Sequence, residues 1–280
     1  MVMNELANAG DEVLLFYNDN SFNTLVGLMK MDGSLSEDLL YHINLVDLLS
    51  VCTEGRNVTT EIKCHSLLPM DEVVRVLVHP DCIPQVKNVY IRLLYSCYVD
   101  CGLDNKETFA KDHMWSLFNS CCTDITKIVK AGPLTPVDPD LKTYVTVHIP
   151  TVMYTFFESG QISALLKVQA HRETLQDLVE RMYALFMSRF VQEQESDSLR
   201  ETLDRCIKLL HKCCKEEVIV LPGKLSDNIQ AMSTSRGART KGLLWKNRVL
   251  EKKKATQLNL TGPQDNINRT IIDGATVRIY

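Results

Sequence analysis

The stretch LLYHINLVDLLSVCTEGRNVTTEIKCHSLLPMDEVVRVLVHPDCIPQVKNVYIRLLYSCYVD, from Leu39 to Asp100, decides the fold. Leu39, Ile43, Val46 and Leu49 recur at helical spacing, and Leu40 and Leu48 widen the stripe. Just upstream, Ser34 with Glu37 has the spacing of a capping box. Gly55 supplies the left-handed conformation that ends a helix. A second helix is expected from Asp81 as N-cap, with Pro84 in its first turn, where a missing N–H costs nothing. Val86, Val89, Tyr90, Leu93, Leu94 and Cys97 form its buried face. Between the two, Asn57–Leu68 and Asp71–His79 read as shorter helices separated by Pro69. Helices of this length are marginal alone in water and must stack on neighbours.

Working outward, Asp11–Met31 reads as helix, with Asn18–Ser21 breaking it into two. Downstream, Asp112 caps a helix whose buried face is Met114, Leu117, Phe118, Cys121, Ile125, Ile128 and Val129, stopped by Gly132. Asp138 and Pro139 are an N-cap followed by an N1 proline, and Pro150 should kink the helix they start. Glu158–Gln169 is a loop or irregular helix start. Leu175, Leu178, Val179, Met182, Leu185, Phe186 and Phe190 make the clearest amphipathic stripe. Leu199, Leu203, Cys206, Ile207 and Leu210 make another, and a last helix is expected around Ser226–Ala231. The count is eight or nine helices with no strand pattern. That spacing predicts an all-α fold, an armadillo-like α-solenoid of stacked antiparallel helices at roughly 40 residues per unit. A closed helical bundle is the competitor.

The 280 residues carry a net charge of −4, unevenly placed. From Arg236 to Tyr280 there are ten Lys/Arg against three Asp/Glu, so residues 1–235 are net −11. We read 1–235 as the helical body and 236–280 as a basic linker with a mobile tail. An acidic body argues against a nucleic-acid surface. No apolar run approaches the ~20 residues that span a bilayer, and MVMNELANAGDE has no signal-peptide pattern, so a cytosolic chain is expected. Among the ten cysteines, Cys97, Cys121, Cys206 and Cys213 continue apolar stripes, which suits buried reduced thiols.

The strings CTEGRN, TEIKCHSLLP and HPDCIP are long and of low degeneracy, and with CYVD at Cys97–Asp100 and HMWSLF at His113–Phe118 they resemble the inositol-trisphosphate receptors. These are ligand-gated calcium-release channels of the endoplasmic reticulum, and the similar part is their central helical region, with the homology domain shared with ryanodine receptors. The resemblance can be followed to about Trp245. It implies a non-catalytic segment on the cytosolic face of the reticulum membrane, part of a homotetrameric channel, relaying conformational change between ligand-binding domains and pore. The family's upstream β-trefoil and basic ligand pocket have no counterpart in these residues. The alternative is a free-standing helical scaffold, truncated from a channel, that binds a protein partner.

Sharper chemistry finds little footing. Cys206, His211, Cys213 and Cys214 lie close in sequence, as do Cys97, Cys101 and His113, but neither set has a recognised zinc spacing. No nucleophile elbow, phosphate loop or EF-hand pattern occurs. His42, His148 and His171 sit within helical runs as structural residues. No catalytic residue, metal or cofactor is expected. The basic run Arg236–Lys254 reads most simply as a solvated tail. Its functional reading is contact of Arg236, Arg239, Lys241, Lys246, Arg248 and Lys252 with anionic lipid or an acidic partner. In the family the corresponding linker carries an Arg-Arg-x-Ser kinase site. Lys253-Lys254-Ala255-Thr256 resembles it, with Lys for Arg and Thr for Ser, which makes Thr256 a candidate phosphorylation site.

Overall fold

The computed structural model describes residues 14–17, 21–30, 35–101, 112–131, 136–159, 162–188, 191 and 197–232. Strands β1 (Leu14–Tyr17) and β2 (Ser21–Thr24) are followed by α1 (Leu25–Met29), α2 (Glu37–Thr53), α3 (Val58–Leu67), α4 (Met70–Val78) and α5 (Pro84–Leu94). A π-helical turn, Tyr95–Val99, extends α5. Then come α6 (Asp112–Lys130), α7 (Pro139–Thr143), a second π turn (Tyr144–His148), α8 (Ile149–Glu158), α9 (Ile162–Leu165), α10 (Gln169–Met187) and α11 (Asp197–Glu216). The last is α12, residues 223–232. By contacts the chain groups into two units, Met1–Ile229 and Gln230–Tyr280.

Helix α5 is the hub of the first unit. Pro84 presets φ at N1, with Ile83 rather than Asp81 as N-cap. Asp81 instead pairs with Lys30 at 2.9 Å; a carboxylate so engaged leaves the cap to backbone geometry. Val86, Val89, Tyr90, Ile91, Leu93 and Leu94 are all buried. At about 1.5–3 kcal/mol each this is on the order of 10 kcal/mol of gross apolar stabilisation, before entropy. Helix α5 packs on α2, α4 and α7; α4 packs on α6, α6 on α10, α10 on α11, and α11 on α8. These contacts link the helices into one continuous stack, the armadillo-like α-solenoid expected of this pattern.

Several local expectations differ. Residues Leu14–Tyr17 and Ser21–Thr24 pair as an antiparallel hairpin, with Leu14 opposite Thr24 and Tyr17 opposite Ser21, where helix was expected. The two strands are short segments of aromatic and β-favouring residues, and Asn18–Asn20 between them lie outside the described residues. Helix α2 is capped by Ser36, whose hydroxyl accepts from the Leu39 N–H at 3.2 Å; Ser34 lies outside the described residues, as do Gly132, Phe190 and the upstream part of Asp11–Met31. Gly55 does end α2's turn, at φ +74°, and Arg56 follows it into the left-handed region at φ +61°. The Asp138 cap and N1 Pro139 are present, with Asp138 accepting from the amides of Asp140 and Leu141.

The interruption at Pro150 takes the form of the second π turn. Ile149 donates to Tyr144, and the backbone of Thr143, His148 and Ile149 remains right-handed helical. Widening the turn just upstream makes room for a ring that would otherwise press on the Thr146 carbonyl. Among the described residues no helix is long and apolar enough to cross a membrane.

Candidate functional site

Both π turns line one cleft. Tyr95 and Ser96 from the first, Val147 and His148 from the second, the end of α2 and the start of α8 enclose a space of about 320 Å³. A neighbouring hollow of about 420 Å³ shares Tyr95, Asp100 and Thr151 with it and continues to Tyr154, Glu158 and Arg205. A π turn adds a residue without a new turn of helix, so it re-aims the side chains that follow, and such turns concentrate where a helix does more than pack.

Polar contacts fasten the walls. The Thr53 hydroxyl donates to the Ser50 carbonyl at 2.9 Å and lies 2.8 Å from the Ser96 hydroxyl. Ser96 in turn reaches the Ser50 carbonyl at 3.2 Å. These bonds tie α2 to the π turn of α5 through buried groups that must be satisfied. Arg56 pairs with Asp100 at 2.9 Å. Arg92 pairs with Asp47 and lies 3.8 Å from Glu54. Arg205 sits over the Tyr154 ring at 4.8 Å, and the Tyr154 hydroxyl donates to Glu158 at 2.8 Å. Burial, and next the Arg92 charge, bring the His148 pKa down to about 4, so its imidazole is neutral at neutral pH. The cleft therefore holds matched charges and a neutral imidazole. It can join elements, but it offers no excess charge to a polyanion.

A second polar joint lies deeper. Lys87 of α5 and Asp124 of α6 are buried and in contact at 2.5 Å. Lys127 reaches the other Asp124 oxygen at 2.8 Å, and the Lys87 ammonium lies 5.5 Å from the centre of the Tyr144 ring. Sequence periodicity did not single out these residues. Their partners stand 37 and 44 positions apart, for Lys87–Asp124 and Arg56–Asp100, and no local pattern marks such pairs.

His42, His171 and His211 are held in packing contacts. His42 Nε2 is 2.9 Å from the Tyr90 hydroxyl, and burial lowers its pKa to about 4. His171 Nδ1 lies 2.8 Å from the Leu165 carbonyl while the ring stacks on Trp115 at 4.3 Å. His211, from the first cysteine-rich set, lies 3.0 Å from the Ser226 hydroxyl. All ten cysteines are free thiols. Burial pushes Cys82, Cys122, Cys206 and Cys214 up to about 12 and Cys213 to about 11, and raises Cys97 and Cys121 as well. That is the reverse of an activated nucleophile or a ready metal ligand. Among the described residues no group of three or more His, Cys, Asp or Glu side chains could hold a metal. Thr256, Lys253, Lys254 and the basic set Arg236, Arg239, Lys241, Lys246, Arg248 and Lys252 lie outside the described residues.

No family model matches the chain. The chain is similar to the inositol 1,4,5-trisphosphate receptor itr-1 of Caenorhabditis elegans, with 33% identity over 246 residues. The match takes in 84% of this chain but only about 8% of that receptor's length. The chain is thus kin, at the level of the family, to the inositol 1,4,5-trisphosphate receptors.

Proposed function

We propose that this chain is a non-catalytic coupling segment of an inositol-trisphosphate-gated calcium-release channel. The observation that carries the reading is the extent of the likeness, which spans 84% of the chain at 33% identity. In this reading residues 1–235 are a relay on the cytosolic face of the endoplasmic reticulum, within a homotetramer. Its packed helices pass movement from ligand-binding domains towards the pore as rigid bodies. The hydrogen-bonded joint between α2 and the first π turn, and the salt-bridged joint between α5 and α6, suit that role. Each is a set of discrete polar contacts between otherwise apolar layers, the kind of interface that has distinct alternative arrangements.

Residues 236–280 are the basic linker of the same reading. Arg236, Arg239, Lys241, Lys246, Arg248 and Lys252 contact an acidic protein surface or anionic lipid, and a phosphate on Thr256, next to Lys253 and Lys254, would weaken that contact by adding about −2 charge. Phosphopeptide mapping after treatment with a basic-directed kinase tests the site; an unmodified Thr256 removes it.

The decisive test is a chimera. The aligned segment of the worm receptor is replaced by this chain, and inositol-trisphosphate-evoked calcium release is measured in cells lacking their own receptors. Release well above that of a Gly/Ser spacer of equal length is expected, with tetramer size checked by native electrophoresis. A chimera that assembles yet releases no more than the spacer version overturns the coupling role. Stop codons bounding a separate transcript would instead favour the free-standing scaffold.

A further inference from the structure

Helix α2 carries large apolar side chains on a side that the described protein leaves uncovered. The covered side is Leu39, His42, Val46, Ser50 and Thr53, all buried, three of them polar. The other side carries Leu40, Tyr41, Leu48 and Val51, exposed to 47%, 57%, 57% and 49%. At about 100° per residue these four fall within roughly 100° of arc, centred opposite the covered stripe, and run about three turns along the helix. A lone exposed leucine is ordinary. A stripe is different, because large apolar side chains recurring on one helical face mark a face that packs against something, here with the exposed Glu37 and Asn44 in the same arc. The clustering is also not general. Of the thirteen exposed large hydrophobics among the described residues, eight fall between Leu35 and Leu67.

The charges that α2 itself carries are acidic, with Asp47 paired to Arg92 and the others at its first turn. The seventeen residues of α2 include Glu37, Asp38 and Asp47 and no Lys or Arg. Glu37 and Asp38 are exposed at its first turn, and residues 1–235 as a whole are net −11. A second copy laid on this face would set acids against acids. A partner with basic flanks would find complementary charge.

We propose that the Leu40–Tyr41–Leu48–Val51 face of α2 is a docking surface for an amphipathic α-helix from a partner protein, its apolar stripe flanked by Lys and Arg. The anchor spacing is that of helix-on-helix recognition, with side chains presented at successive turns. The inference stands apart from the channel reading, since it rests on the uncovered apolar face of α2 and on its charge.

The test uses the full 280-residue chain and three labelled 18-residue probes. One carries leucines at helical spacing with lysine flanks, one has glutamate in place of every lysine, and one has the lysine peptide's composition scrambled so that no stripe forms. Fluorescence anisotropy should show saturable binding of the first, weakened about tenfold in Leu48→Ser/Val51→Ser, a change of about 1.4 kcal/mol. Val220→Ser, at a separate position 82% exposed, should leave it unchanged. Thermal melts should confirm that the double variant folds; if it does not, Tyr41→Ser takes its place. Four outcomes overturn the proposal. They are equal binding of the scrambled peptide, no loss in the serine variants, preference for the glutamate peptide, and a concentration-dependent dimer by light scattering that the double variant abolishes. The last would make a second copy the occupant.

Discussion

Helices α2 and α5 pack against each other, yet they distribute polarity in opposite ways. Helix α5 is enclosed, with its apolar residues inward and its one deeply buried charge, Lys87, met by Asp124. Helix α2 turns His42, Ser50 and Thr53 inward and leaves Leu40 and Leu48 in solvent. The difference shows that stacked helices are held by two kinds of joint. One is apolar packing that defines the stack; the other is a sparse set of satisfied polar contacts that fixes register between layers.

The sharpest way to break the comparison is at the buried ion pair. Asp124→Leu alone should cost about 3–5 kcal/mol in urea unfolding, because it leaves the Lys87 ammonium uncompensated in the interior; Lys87→Met should cost less, because Lys127 still reaches Asp124 at 2.8 Å. The double variant should recover most of that loss. Asp124→Leu within 1 kcal/mol of the parent would show that Lys87 reaches solvent.

Next in size is an apolar truncation in the enclosed helix. Leu93→Ala empties a fully buried position and should cost about 2–5 kcal/mol. The same measurement would then say whether α5 carries the stack as its burial implies.

Acid should act in part through the inward side of α2. The His42 pKa falls from 6.5 to about 4 on burial, so the unfolded chain binds that proton more readily. The stability tied to neutral His42 is complete above about pH 6.5 and drains away as pH falls towards 4, by up to about 3 kcal/mol. His42→Gln should flatten the 4–6.5 portion of a Tm-against-pH curve. An unchanged curve would place the acid sensitivity elsewhere, with His148 the next group to test.

The smallest effect belongs to the outer side of α2. Leu48→Ala removes a side chain 57% exposed and should shift stability by no more than about 0.5 kcal/mol. A loss near that of Leu93→Ala would mean that Leu48 is covered in solution, and a dimer would then be the first thing to look for.

Legibility in the sequence followed the same division. For α5, the buried stripe Val86, Val89, Tyr90, Leu93, Leu94 and Cys97 could be read from spacing alone, since all six are buried and one period served one core. For α2 the stripe holds at Leu39 and Val46, which are buried, but not where Leu40 and Leu48 widen it. Leu40 and Leu48 are exposed while His42, Ser50 and Thr53 are inside, because a helix with apolar residues on two sides has no unique inward face. The N-terminal hairpin was misread for a related reason. Alternating and helical patterns are hard to separate over four-residue strands, and the break at Asn18–Ser21 does not by itself reveal the strands on either side. The absence of nucleophile, phosphate-loop or zinc spacing was readable from the chain, whereas the cleft between the two π turns was not. Its walls come from three separate segments, and Pro150 marks an interruption without saying that a π turn would absorb it.

By itself, then, the sequence determined that this chain would be a stack of short helices, where most of them start and stop, and which receptor family it resembles. Caps, prolines, glycines and 3.6-residue periodicity act within a few residues of chain and are written locally. Only the tertiary structure decided which side of α2 faces α5, which charges meet in the interior, and where the π turns converge. Those outcomes depend on side chains dozens of positions apart competing for the same buried volume, and a one-dimensional pattern carries no record of that competition.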